Sequence, residues 1–168
     1  MFKAVSATVA AVFLSTAATA ATIDTFELDV TSAAGTDSNI VLELGQTYRL
    51  TVSGTFMLGS NPTRHVADAE YFNLGSDPLQ PLDGTSSREI GVGVDGADID
   101  FGEFRADRVY TALIQGTGST INVFYSDNPL LDNVGSLRVE ISAVPLPAGA
   151  LLMLSGIAGL GVMRRRKP

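Results

Sequence analysis

The stretch LGQTYRLTVSG, residues 44–54, alternates with a period of two: Tyr48, Leu50 and Val52 are apolar, and Arg49, Thr51 and Ser53 between them are polar. Successive side chains on a strand point to opposite faces, so this pattern gives one face to a core and the other to water. The same pattern recurs on both sides of it. Phe26, Leu28 and Val30 alternate with Glu27 and Asp29, and Ile40, Leu42 and Leu44 predict a further strand. Val92 and Val94, then Asp95-Gly96, then Ile99 and Phe101 predict a hairpin, because Asp-Gly readily takes the positive φ values of a type I′ turn. Tyr110 to Gln115, Ile121 to Tyr125 and Leu137 to Ile141 supply more strands, separated by GTGS and by SDNPLLDNVG. Eight or nine short strands with turn signals between them, and no helix of useful length, predict an all-β fold, a two-sheet antiparallel sandwich or a barrel. Gly75 to Arg88, with Pro78, Pro81 and Gly84, is expected to be a surface loop.

The ends of the chain have a different composition. Met1-Phe2-Lys3, an apolar run from Ala4 to Ala18 and the small residues Ala18-Thr19-Ala20 form the three parts of a secretory signal peptide, so residues 1–20 are expected to be removed and the protein exported. At the other end, Ala148 to Met163 is a run of 16 uncharged residues, about 24 Å as a helix and just short of a bilayer's ~30 Å hydrocarbon core. Arg164, Arg165, Arg166 and Lys167 follow it and would stay on the cytoplasmic side. Pro145 and Pro147 keep the segment before the helix extended, the form a protease reads.

The body between the ends, residues 21–143, suits one domain. It holds all 18 acidic residues against six Arg and no Lys, a net charge of −12. Such a surface repels nucleic acid and favours cations or neutral ligands. The chain has no Cys, which excludes disulfides, thiol nucleophiles and thiolate metal sites. GVGVDG, Gly91 to Gly96, has the glycine spacing of a dinucleotide fingerprint, but a strand follows where that motif needs a helix. His65 has no nucleophile context, and Asp95, Asp98, Asp100 and Glu103 read as a solvated acidic hairpin. No acid, base and nucleophile converge in the pattern, so the expectation is a protein that is not an enzyme.

One loop carries chemistry. In YSDNPLLDNVGS, Asp127, Asn128, Asp132 and Asn133 bracket a short connection between two strongly β segments, and Gly135 permits a sharp exit. Carboxylate, amide and carbonyl oxygens brought together this way suit calcium, which takes six to eight oxygen ligands. The same residue types also build ordinary hairpin loops, and spacing alone leaves the two readings level.

Two resemblances add expectations. VPLPAG followed by an apolar helix and RRRK resembles the VPLPA variant of the PEP-CTERM sorting signals. This implies that residues 144–168 are a sorting signal with Val144, Pro145, Leu146, Pro147 and Ala148 as its motif and Arg164 to Lys167 as its basic tail. It further implies a Gram-negative exported protein, cut by signal peptidase, anchored in the inner membrane by the C-terminal helix, then processed by an exosortase and passed to the cell surface or matrix. Leu146 stands where the namesake PEP motif has Glu.

The second likeness is in the body. LGQTYRLTVSG with INVFYSDNPLLDNVGSLRVEI resembles the opening and closing strands of the bacterial calcium-dependent galactose-binding lectins, which are small jelly-roll-like sandwiches. By position it implies calcium held by Asp127, the Leu131 carbonyl, Asp132, Asn133 and the carbonyl of Leu58 or its neighbour, with Asp127, Asn128 and Asp132 toward an extracellular polysaccharide. Tyr71, Tyr125 or Phe56 would stack on a sugar ring. The loop is about two residues shorter than the family's, and VADAEYF has no counterpart of the family's sugar-contacting His. The alternative expectation is a structural surface or biofilm protein with no sugar ligand.

Overall fold

The computed structural model describes residues 21–59, 64–73, 82, 90–127 and 130–144. The expected signal peptide, membrane helix and basic tail, the sorting motif apart from Val144, and most of the loop from Gly75 to Arg88 lie outside the described residues. Among the described residues there are ten strands, all paired antiparallel. They are β1 (Thr22–Asp29), β2 (Thr36–Asp37), β3 (Thr47–Ser53), β4 (Phe56–Leu58), β5 (His65–Ala67), β6 (Gly91–Val94), β7 (Ala97–Asp98), β8 (Val109–Gln115), β9 (Asn122–Ser126) and β10 (Ser136–Ala143). One four-stranded sheet runs β1-β10-β3-β8, a second runs β2-β9-β6-β7, and β4 and β5 form a two-stranded sheet.

The alternation read from the sequence becomes the core. Tyr48, Leu50 and Val52 of β3 are buried with Leu28 of β1, Tyr110 of β8, and Leu137, Val139 and Ile141 of β10. Val92, Val123 and Tyr125 of the second sheet join the same hydrophobic cluster, so the two large sheets share one core. Burial of these side chains, at roughly 1.5–3 kcal/mol for each large one, is the main stabilising term in a chain without disulfides. The hairpin between β6 and β7 turns on Asp95 (φ 50°) and Gly96 (φ 83°), both positive as a type I′ turn requires.

The segment around Leu42 departs from expectation. Ile40, Leu42 and Leu44 form no strand; the chain there is a loop folded onto residues 116–119. The Leu42 amide donates to the Ser119 carbonyl, and the Gly118 amide to the Leu42 carbonyl. The Glu43 amide donates to the hydroxyl of Tyr48. Leu42 is buried and Ile40 packs half-buried against the core while Val41 and Leu44 are exposed, so the alternation belongs to a loop and not to a strand.

Candidate metal centre

The loop singled out in the sequence leaves β9 at Ser126, makes one 3-10 turn at Leu130–Asp132 and enters β10 at Ser136. Asn133 is its fixed point. Its side chain is buried, and its amide nitrogen donates to the Val30 carbonyl at 3.1 Å and to Asp127 Oδ2 at 3.2 Å. Its amide oxygen accepts from the Gly59 N–H at 3.2 Å. One side chain thereby ties the ends of β1, β4 and β9 together. Met57 and Val134 exchange both backbone hydrogen bonds, which lays the end of β4 along the loop.

Alternation of backbone groups along β4 places the early carbonyl. Since Met57 turns its amide and carbonyl to Val134, those of Leu58 turn to His65 of β5, its register partner. The neighbouring Gly59 directs its N–H back to Asn133. The Leu58 carbonyl, one of the positions expected for the early backbone ligand, therefore faces away from the loop, and what Gly59 turns to the loop is its N–H, a donor and not a cation ligand.

The loop's acidic groups differ in their surroundings. Asp127 accepts the Asn133 amide, and its charge contributes to raising the ionisation of the Tyr125 hydroxyl well above the usual tyrosine range, after burial as the main cause. Asp132 Oδ1 is shut off from solvent, and among the described residues it meets no hydrogen-bond donor. A shielded carboxylate oxygen without a donor costs on the order of 1–3 kcal/mol or more. A cation would remove that cost. Leu131, between the 3-10 turn's other two residues, is 89% exposed, so the loop's outer side faces solvent. Asn128 lies outside the described residues.

The expected calcium ligands divide into two kinds of residue in the structure. Asp127 and Asp132 would supply carboxylate oxygens, with carbonyls of the loop beside them. Asn133, whose three hydrogen bonds are all spent on protein groups, acts as the brace that holds the loop to its neighbours. Among the described residues no group of three or more His, Cys, Asp or Glu is placed to hold a metal ion, so an ion here would rely on two carboxylates plus neutral oxygens.

The rings proposed for sugar stacking are placed otherwise. Phe56 and Tyr125 are 4% and 2% exposed and pack edge to face at 4.8 Å, which makes them core residues closed to a pyranose. Their place on inward-facing strand positions is the reason. Tyr71 is half-buried, donates its hydroxyl to the Gly102 carbonyl at 2.7 Å and packs edge to face on Phe104.

A buried acidic cluster went unforeseen. Asp68 is fully buried; its Oδ1 accepts the Glu70 and Tyr71 amides at 3.0 and 2.8 Å, and its Oδ2 accepts the Tyr110 hydroxyl at 2.9 Å. Burial pushes its carboxyl above the usual aspartate range against the lowering effect of those donors and of Arg108. Burial likewise pushes the Tyr110 hydroxyl up. Glu70, also buried, accepts the Phe101 amide at 3.0 Å. These bonds hold residues 67–73 against β8 and the turn after β7. The sequence signal was ADAEYF itself, where an Asp two and three residues before backbone amides is the pattern of an Asx turn. His65 is half-buried in β5 and shares a 2.7 Å hydrogen bond with the Asn73 carbonyl through Nδ1.

Comparison with protein-family models, with curated proteins and with solved structures returns no match.

Proposed function

We propose that the chain is an exported surface or matrix protein whose body is a two-sheet β-sandwich of the jelly-roll kind, with a calcium ion stapling the loop from Asp127 to Asn133. The observation that carries this reading is Asp132 Oδ1, a solvent-shielded carboxylate oxygen without a donor among the described residues. It stands in the loop where Asp127 and Asn133 already meet. Asn133 braces the loop to Val30 and Gly59, so the loop is held in place before any ion arrives. The ion would neutralise two carboxylates of a body carrying −12 and link the exit of β9 to the entry of β10.

An ion on this loop has an outer side toward solvent, where vicinal hydroxyls of an extracellular polysaccharide would complete its coordination. This supports carbohydrate binding through Asp127, Asn128 and Asp132. The burial of Phe56 and Tyr125 favours the second reading, a structural surface or biofilm protein in which calcium is only a staple. The tail supports passage through the inner membrane and processing by an exosortase at Val144 to Ala148, after signal peptidase acts near Ala20. Calorimetric titration of calcium into chelator-stripped protein tests the staple, and a glycan array in calcium and in chelator separates the two readings. Calcium binding with no glycan signal leaves the structural reading, and no calcium heat removes both.

A further inference from the structure

The sheet β1-β10-β3-β8 has two ends of unlike chemistry. At one of them β10 finishes: Ala143 is paired with Tyr48 at the start of β3, and its amide donates to the Ala21 carbonyl just before β1. Thr47 in turn lies opposite Gln115 at the end of β8. The loop around Leu42 is fastened to the same end by amide-to-carbonyl bonds from Gly45 to Gly116, Gly116 to Gln46 and Ser38 to Ile121. Both the backbone and side-chain N–H groups of Asn39 donate to the buried Asp24. Residues 21–23, 38–48, 115–121 and 141–144 therefore make one rim.

This rim is nearly free of charge. Glu43 is the one charged residue in those four segments, in a body that holds 18 acidic residues and six Arg. Val41 and Leu44 are 62% and 80% exposed, and Ile23, next to Asp24 in the chain, is 39% exposed. A loop pinned by this many hydrogen bonds that still holds large apolar side chains in water marks a contact surface. The opposite end is the charged one. There β10 begins at Ser136, about 24 Å away over seven strand steps. Asp127 and Asp132 lie in the loop before it, Asp29 ends β1, and Arg105, Asp107 and Arg108 precede β8.

Chain length brings a bilayer to the neutral rim. Val144 is the last described residue, and four residues further on Ala148 begins the run of 16 uncharged residues. Four residues extend no more than ~14 Å. We infer that the rim seats on a zwitterionic lipid surface, with Val41 and Leu44 at the boundary between headgroups and acyl chains. The inference rests on the reading of Ala148 to Met163 as a membrane anchor. Apolar side chains among neutral Asn, Gln, Ser and Thr suit that boundary, and a rim without Lys or Arg has nothing to attract anionic lipid. The candidate metal loop, at the far end of β10, is thereby turned outward.

Fluorescence of the full chain in phosphatidylcholine vesicles tests the seating, and the absence of Cys lets one label be placed at a time. An environment-sensitive dye on Leu44→Cys should shift to the blue and be quenched by lipids that carry a nitroxide at the headgroup–acyl boundary. The same dye on Thr55→Cys, exposed just after β3, should show neither effect. Val41→Asp should cut the quenching at Leu44→Cys by at least about threefold and leave the melting temperature unchanged, because Val41 lies outside the core. A chain that fails to float with the vesicles would remove the anchor reading and the seating together. A chain that floats, with the dye at position 44 no more quenched than at 55, would overturn the seating alone. Shielding of position 44 only when exosortase shares the vesicle, with no quenching by lipid, would give the rim to a protein and overturn it as well.

Discussion

Replacing Asn133 by Ala removes a side chain that makes three hydrogen bonds and is 3% exposed. The Val30 carbonyl loses its Asn133 partner in a buried site and the Gly59 amide loses its own in a half-buried one. At about 1–3 kcal/mol for each stranded group, the two together give roughly 2–6 kcal/mol. The bond to Asp127 adds little, since that carboxylate keeps other contacts. For the compact unit Ala20–Val144 this corresponds to a fall in Tm of roughly 8–24 °C, at about 4 °C per kcal/mol. Asn133→Asp gives a sharper version. The new carboxylate can still accept from Gly59 but cannot donate to Val30, and it stands beside Asp127. In chelator it should be about as damaging as Ala, whereas millimolar calcium should restore much of its stability and little of the Ala variant's. Paired thermal melts read both. A loss below about 1 kcal/mol for Asn133→Ala would show that Asn133 is no brace.

Further outcomes follow from the same structure. Asp68→Asn should stay within about 1 kcal/mol of the parent at pH 7, because an amide can accept from the Glu70 and Tyr71 amides and donate to the Tyr110 oxygen, while Asp68→Ala should cost about 2–4 kcal/mol in denaturant unfolding. The Asp68 carboxyl is raised in the fold, so it takes up a proton there before it does so in the unfolded chain. Its contribution therefore makes stability rise as pH falls from its folded pKa toward 3.8. Asp68→Asn should abolish that rise, and an unchanged pH profile would refute the burial argument. Gly135→Ala should cost roughly 1–3 kcal/mol, since its φ is 123° and an added Cβ would stand 3.1 Å from Phe56 Cβ; a neutral melt would show that the loop exit tolerates a side chain. Intact mass of protein from its native host should show a start near Ala21 and an end near Pro147, and Arg164 to Lys167 still attached on surface material would remove the sorting proposal. Neutralising Arg164, Arg165 and Arg166 should release unprocessed protein, as cytoplasmic cations set the orientation of short spans; unchanged retention would show the cluster to be dispensable.

Where strands are long and half-buried, the sequence was transparent. β3 and β10 alternate because each turns one face to the shared core and the other to water, whereas β8 was recognised by its apolar content, since Val109 and Leu113 put apolar side chains on its outer face. The Asp95-Gly96 turn was equally plain, since it needs positive φ at both positions. Alternation misled at Ile40 to Leu44, where one buried Leu anchors a loop and chance supplies the period. β2, β4 and β5 have two or three residues each, too few to carry a period. The candidate loop was found by its clustered oxygens, but which of them point inward depends on partners distant in sequence: Asn133 faces Val30 and Gly59, 103 and 74 residues away. Asp24, Asp68 and Glu70 read as surface charge because nothing local in a sequence distinguishes a carboxylate that will meet buried amides from one that meets water.

Calcium-dependent melting tests the central proposal most directly. An ion bound only by the native state at 100 times its dissociation constant stabilises by about 2.7 kcal/mol. For residues 20–144 that is a rise in Tm on the order of 8–15 °C between chelator and calcium. Asp132→Asn and Asp127→Asn should each remove most of the rise while costing little in chelator, where repulsion between the two carboxylates is relieved. A Tm that does not move at millimolar calcium would contradict the staple, and with it the calcium-mediated sugar reading.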